Sequence, residues 1–96
     1  MYAADKAEEL SQIGRAKVEI LRMNRTIART MSEIGGRVYD LHERGAKADI
    51  PDDETVAQAV KTIGALRLDV ERLEREIERI RAERSERRTH DRSDSR

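Results

Sequence analysis

Apolar residues recur along residues 10–41 at alternating steps of three and four positions. This spacing is the heptad pattern, in which the a and d positions form one stripe on a helix and pack against another helix. Because the pattern continues over four heptads without a slip, it predicts a long helix within a coiled coil. In chain order the a and d positions are Leu10, Ile13, Lys17, Ile20, Asn24, Ile27, Met31, Ile34, Val38 and Leu41.

A second heptad stripe follows a short segment that carries signals for a helix end and a helix start. Gly45 suits the position just past a helix end, and Pro51 suits a first helical turn. These signals predict a first helix over residues 5–44, a loop over 45–51, a second helix over 52–88 and a disordered polar tail over 89–96. The second stripe comprises Val56, Ala59, Ile63, Leu66, Val70, Leu73, Ile77, Ile80, Arg84 and Arg87.

The two stripes match when the chain folds back at the loop. Each a residue then meets a d residue, as antiparallel layers require, with Ile34 facing Ile63 and Lys17 facing Ile80. We therefore expect an all-α fold, an antiparallel two-helix coiled-coil hairpin. Its predicted core within one chain consists of Ile20, Ile27, Met31, Ile34, Val38, Leu41, Val56, Ile63, Leu66, Val70, Leu73 and Ile77.

Further small and apolar residues lie beside the two stripes. A lone two-helix hairpin buries only a narrow seam, and domains this small often need oligomerisation for stability. We therefore expect two hairpins to dimerise into a four-helix bundle, with Gly35 as a point of close helix contact and Asn24 as a register-fixing polar residue. Gly36 faces outward, where a local bend or flexibility explains the glycine as well as close packing does. The alternative for both glycines is that they are tolerated flaws in an otherwise stable helix. The predicted oligomer interface contains Val18, Leu21, Asn24, Ala28, Gly35, Tyr39, Val60, Gly64 and Leu68.

Composition supports this interpretation and excludes several function classes. Charged residues make up 42% of the chain and aromatic residues only 2%, which is typical of long helices and coiled coils. The net charge of zero gives no argument for nucleic acid, and the absence of cysteine excludes disulfides and zinc knuckles. The chain contains neither a glycine-rich phosphate loop nor a metalloprotease motif. We therefore predict no enzymatic activity, no catalytic or metal-binding residues, no cofactor and no small-molecule substrate.

One short element resembles a known group of proteins. Ile34, Gly35 and Tyr39 form an Ile-Gly-x-x-x-Tyr element, and the charged sequence VERLEREIERI follows in the second helix. With these features, residues 20–80 resemble small bacterial coiled-coil proteins of the zinc-ribbon-associated type. The zinc ribbon itself is absent because the chain has no cysteine. The resemblance implies a helical assembly module without catalytic activity.

The sequence thus predicts a structural or adaptor module that binds itself, and possibly another protein, within a larger assembly. The N-terminal residues lack the pattern of a signal peptide, and no apolar run is long enough to span a bilayer, so we expect a cytoplasmic location without membrane insertion. Two alternatives remain open. One is a nucleic-acid-associated protein that uses the arginine- and serine-containing tail, and the other is a small secretion substrate or secretion chaperone.

Overall fold

A computed structural model describes residues 2–94 of the chain, and side chains over residues 4–88. Two long helices, α1 (Tyr2–Glu43) and α2 (Glu54–Asp94), are joined by a short 3₁₀ helix, Lys47–Asp52. The helices run antiparallel and pack along their length, which gives a rod of 75 × 17 × 14 Å. The prediction of an all-α hairpin of two packed helices is therefore confirmed.

The end of α1 is set by Gly45, as the sequence predicts. Gly45 has a φ of 73°, a left-handed conformation that a residue with a Cβ atom adopts only at a cost. The Ala46 N–H donates to the Leu41 carbonyl at 2.8 Å, and the Gly45 N–H donates to the His42 carbonyl at 3.1 Å. These two bonds form a Schellman motif, which satisfies carbonyl groups that the helix end leaves without partners.

The bounds of the second helix differ from the predicted ones. It begins at Glu54 because Asp53 takes the N-cap position, so Pro51 lies inside the 3₁₀ helix and not in the first turn of α2. At the other end α2 continues to Asp94, through most of the segment that we expected to be a disordered tail. Strong helix formers such as Glu and Arg dominate residues 67–88, and no glycine or proline follows Gly64 to end the helix. Residues 95 and 96 lie outside the described residues.

The seam on α2 follows the predicted heptad positions. Ile63, Val70, Ile77 and Ile80 are buried, and the intervening stripe residues are half-buried through Arg84. At the open end of the hairpin, Ile77 and Ile80 form one apolar cluster with two residues of α1, and Leu73 packs against it. Farther toward this end, the side chains of Glu9 and Arg87 form an ion pair between the helices.

The seam on α1 is rotated relative to the prediction. The predicted d positions remain at the seam, but its other half is formed by the residues directly before the predicted a positions. Ala16 and Thr30 are buried, whereas Lys17 and Met31 are exposed. The assignment of Met31 to the core is therefore wrong, since 44% of this residue is exposed, and Ala16 takes the place expected for Lys17 in the cluster with Ile77 and Ile80.

This rotation has a simple physical reason. The predicted stripe would bury the ammonium group of Lys17 and the amide of Asn24 without a matching partner, which is costly in an apolar seam. In the rotated seam Ala16 takes the place of Lys17, Met23 takes that of Asn24 and Thr30 takes that of Met31. The buried Thr30 hydroxyl donates to the Thr26 carbonyl at 2.8 Å, so it is satisfied within its own helix.

Candidate interaction surface

The rotation of α1 leaves a set of large apolar side chains exposed to solvent. We call this set the apolar face. Its members are between 44% and 67% exposed, and five belong to α1 and two to α2: Leu10, Val18, Leu21, Met31, Tyr39, Val60 and Leu68. Scattered apolar residues are normal on a protein surface, so the question is whether these seven lie together.

Both helices contribute apolar residues to the same broad side of the hairpin. An antiparallel helix pair has an approximate twofold axis perpendicular to the plane of the pair, so equivalent heptad positions lie on one side in both helices. Met31 directly follows the seam residue Thr30, and Val60 directly follows the seam residue Ala59, so these two positions are equivalent. Leu10 shares the heptad position of Met31, and Leu21 lies one heptad before Ala28, which is three residues from Met31. Val18, Tyr39 and Leu68 each lie two residues before a seam residue, so they line the outer edges of the hairpin beside this side.

Small residues separate the large ones on the apolar face. Gly14, Ala28 and Gly35 lie in heptad register on α1, and Ala57 and Gly64 take the equivalent positions on α2. A Cβ atom built on Gly14, Gly35 or Gly64 would have no atom within 4 Å. Packing within the hairpin therefore does not require these glycines, although each costs about 1 kcal/mol relative to alanine in a helix.

Gly36 also has open space around it, but it lies one residue beyond the line of Gly35. Nothing in the structure explains a glycine at this position.

The opposite side of the hairpin is polar. A shallow groove between the helices is lined by Glu33 of α1, by Gln58 of α2 and by three threonines, Thr30, Thr55 and Thr62. The hairpin thus has two different broad sides, one apolar and one polar, along the half that lies nearer the turn.

An ion pair fixes the two helices to each other beside the turn. The Arg37 guanidinium donates to Oδ1 of Asp53 through Nε at 3.1 Å and through an Nη atom at 2.8 Å. The other carboxylate oxygen of Asp53 accepts the Val56 N–H at 3.0 Å, which is the N-cap bond of α2. The Asp53 side chain is only 9% exposed. One carboxylate therefore starts α2 and also holds it against α1.

These contacts shift the ionisation of both groups. The hydrogen bond from Arg37, followed by the N–H of Val56, lowers the pKa of the Asp53 carboxyl, and the bond to Asp53 raises the pKa of the Arg37 guanidinium. Because the folded-state pKa of Asp53 is lowered, its contribution to stability is fully present above the unfolded-state pKa of about 4. This contribution is lost as the pH falls through the folded-state value.

Substitution of Asp53 tests this double role. We expect Asp53→Ala to lower the melting temperature by about 4–8 °C, since it removes the cap as well as the ion pair. Asp53→Asn keeps a capping side chain and should lose less. The matched control is Asp52→Ala, an exposed aspartate one residue away, which should change the melting temperature by less than about 2 °C. Equal effects of the Asp52 and Asp53 substitutions on thermal unfolding, followed by circular dichroism, would contradict the assignment.

The ion pairs within α2 are exposed to solvent, unlike the pair between Arg37 and Asp53. Arg79 contacts Glu76 three residues before it and Glu83 four residues after it, and the bond to Arg79 lowers the pKa of Glu76. All three side chains are about half exposed, so solvent screens their interaction. They support the helix locally and do not connect it to α1.

Each residue of the predicted oligomer interface is exposed on the hairpin. This includes Asn24, which lies outside the seam. Sequence reasoning missed Leu10 and Met31 as members of the apolar face because it assigned both to the seam. It also missed the Arg37–Asp53 pair. The sequence signal for that pair is Asp53, an aspartate directly before a helix. Arg37 lies beside Asp53 only in the rotated orientation of α1.

The part of the chain that the structure describes holds no cluster of three or more histidine, aspartate or glutamate residues that could bind a metal ion. Over the same residues, neither helix contains a stretch apolar enough to cross a membrane. No protein-family model, curated protein or solved structure matches the chain, so the resemblance based on Ile34, Gly35 and Tyr39 stays a prediction.

Proposed function

We propose that the protein is a non-enzymatic structural module that associates with itself through the apolar face. The observation that carries this proposal is that both helices leave large apolar side chains exposed, with Met31 of α1 and Val60 of α2 on the same broad side of the hairpin. Burial of that side against another hairpin would produce a four-helix bundle with two layers.

The thin core of the hairpin supports this proposal. Among the described residues, no large side chain is less than 2% exposed, and the buried residues form a single line along each helix. Two helices of this kind gain little stability from burial alone, because ordering a chain costs about as much as such a small core returns. A second layer of helices would remove the same apolar side chains from water and enlarge the core.

The size and composition of the apolar face also support an interface. Seven large side chains that are about half exposed amount to roughly several hundred square ångströms, comparable to the largest apolar patches on monomeric proteins, which are often functional. Standard interfaces bury about 800 Å² per partner. The glycines and alanines between the large residues allow a second helix backbone to approach closely, so that large residues of one hairpin fill the spaces on the other.

The experiment is a measurement of molar mass by light scattering over a range of protein concentrations. One chain has a mass of 11.0 kDa, and we expect about twice this value at micromolar concentration. A mass of one chain at every concentration up to the millimolar range would overturn the proposal.

A paired glycine substitution tests whether close contact occurs on this face. Gly35→Ala and Gly36→Ala should both raise the stability of an isolated hairpin, because alanine is the better helix former and both positions have open space. Only Gly35→Ala adds a methyl group where we place the second hairpin, so it alone should weaken self-association, by about tenfold. Equal dissociation constants for the two variants in analytical ultracentrifugation would contradict a close contact at Gly35.

A further inference from the structure

The middle of α1 carries an excess of basic residues that the adjoining part of α2 does not share. Residues 15–29 contain five bases and a single acid, Glu19, whereas residues 67–81 of α2 contain five of each. The chain is neutral as a whole, but this part of α1 is cationic. Four of its bases are exposed arginines, which we call the basic strip: Arg15, Arg22, Arg25 and Arg29.

Heptad positions place these four arginines on one surface of α1. Arg15, Arg22 and Arg29 are spaced by seven residues, and each directly precedes a seam residue, as Gln58 of the polar groove does. Arg25 lies three residues after Arg22 and four before Arg29, so it adjoins both, and these three line one shallow depression. The basic strip therefore runs for about 21 Å along the polar side and outer edge of α1.

The carboxylates of the hairpin leave most of the basic strip without a charged partner. Among the described residues, three of its four arginines contact no carboxylate, and Arg15 and Arg29 donate to the hydroxyl groups of a serine and a threonine. Arg22 has one such contact, with Glu19 at 3.9 Å, and its side chain is 73% exposed. The guanidinium groups are therefore accessible to the carboxylates of another molecule.

We infer that the basic strip binds an acidic helix of another protein, whose carboxylates repeat every seven residues. Such a helix, lying along α1, brings a carboxylate to each of Arg15, Arg22 and Arg29, because both helices rise by about 10.5 Å per heptad. Val18 lies three, four and seven positions from Arg15, Arg22 and Arg25, and it offers an apolar contact among these ion pairs. Guanidinium groups bind carboxylates through paired hydrogen bonds, which fixes the orientation of the partner.

The bounds of the basic strip favour a short helix over a nucleic acid. Glu8 and Glu43 occupy the same heptad position as Arg15 and Arg29, one on each side of the strip. A long chain of phosphates that follows the rod would meet these carboxylates, whereas a helix of three heptads covers only the cationic part. Residues 11–32 also contain no aromatic side chain on which a base could stack.

Two synthetic peptides of identical composition test this inference by fluorescence anisotropy with the full chain. Each has three heptads, with two glutamates and one leucine in every heptad. In the first peptide all of these lie on one face of the helix, and in the second the glutamates are distributed around the helix. We expect the first to bind more tightly by roughly fivefold or more, and its affinity to fall as salt is added. No binding of the first peptide, or equal binding of the two, would overturn the inference.

A pair of double variants locates the binding surface. Arg22→Gln combined with Arg29→Gln should weaken binding of the first peptide by about tenfold, since it removes two of the heptad-spaced guanidinium groups. The matched control is Arg72→Gln combined with Arg75→Gln, which removes two exposed arginines of α2 and the same charge. Equal losses in the two double variants would mean that only net charge matters, and the inference would be wrong.

Light scattering and a short DNA duplex distinguish the other possible occupants. Because the basic strip lies away from the apolar face, the Arg22 and Arg29 double variant should keep the mass of the original chain. A lower mass would mean that a second copy covers the strip, which overturns the inference. Tighter binding of the duplex than of the peptide, through the same arginines, would also overturn it. If the original chain is a monomer, self-association fails as a proposal, but peptide binding still decides this inference.

Discussion

Ala28→Glu is expected to convert the self-associated protein into single hairpins. Ala28 is exposed on α1, in the line of small residues between Leu21 and Met31, and its side chain does not contribute to the seam. A glutamate there would have to enter an apolar contact without a partner, which costs several kcal/mol for a charged group. We expect the dissociation constant to rise at least 100-fold, measured by sedimentation equilibrium.

Ala65→Glu is the matched control for this substitution. Ala65 is also an exposed alanine in a helix, but it lies on α2 toward the polar side of the hairpin, near Gln58 and Thr62. The same change of residue should alter the dissociation constant less than about threefold and leave the helicity unchanged. If Ala28→Glu keeps the mass of the original protein, or if both variants dissociate equally, the apolar face is not the contact surface.

Gly45→Ala is expected to produce the largest loss of stability among single glycine substitutions. The residue holds a φ of 73°, and alanine in this left-handed conformation costs about 1–2 kcal/mol. Gly36→Ala is the same change at a helical position with open space, and it should instead raise the free energy of unfolding by about 1 kcal/mol. If Gly45→Ala lowers the free energy of unfolding and Gly36→Ala raises it, the backbone requirement at the turn is distinguished from helix propensity.

Denaturant unfolding at one fixed protein concentration measures both glycine variants. A fixed concentration is needed because association contributes to the apparent stability of an oligomer. If Gly45→Ala is neutral, the Schellman motif does not hold the end of α1 in solution. If Gly36→Ala destabilises, this glycine serves a contact or a bend that the single hairpin does not show.

Heptad spacing was sufficient to predict the two helices, their antiparallel packing and the seam on α2. It was not sufficient on α1, because two stripes of similar apolar character run side by side there. One stripe contains Lys17, Asn24 and Met31, and the other contains Ala16 and Thr30. A count of apolar residues favours neither clearly. The choice depends on the energy of burying an ammonium group and an amide, which appears only when both helices are packed.

The candidate site was predictable to a similar extent. Most of the apolar face could be predicted from the small and apolar residues outside the two heptad stripes. Once the heptad period is assigned, these residues are expected to be exposed. The Arg37–Asp53 pair was not predictable because its residues are 16 positions apart and belong to different elements. The start of α2 was misplaced for the same reason. Proline suggested the first helical turn, but the cap was decided by an aspartate that a distant arginine also binds.

The Arg37–Asp53 pair has a consequence for the order in which the chain folds. Nucleation is the slow part of helix formation, and a capped first turn beside an anchored neighbour lowers that barrier for α2. The contact joins residues only 16 positions apart, so the loop that it closes has a small entropy cost. Each later contact between the helices joins residues farther apart in sequence, but it forms next to one already made. We therefore expect the hairpin to form from the turn toward the open end, where Glu9 and Arg87 form an ion pair between the helices.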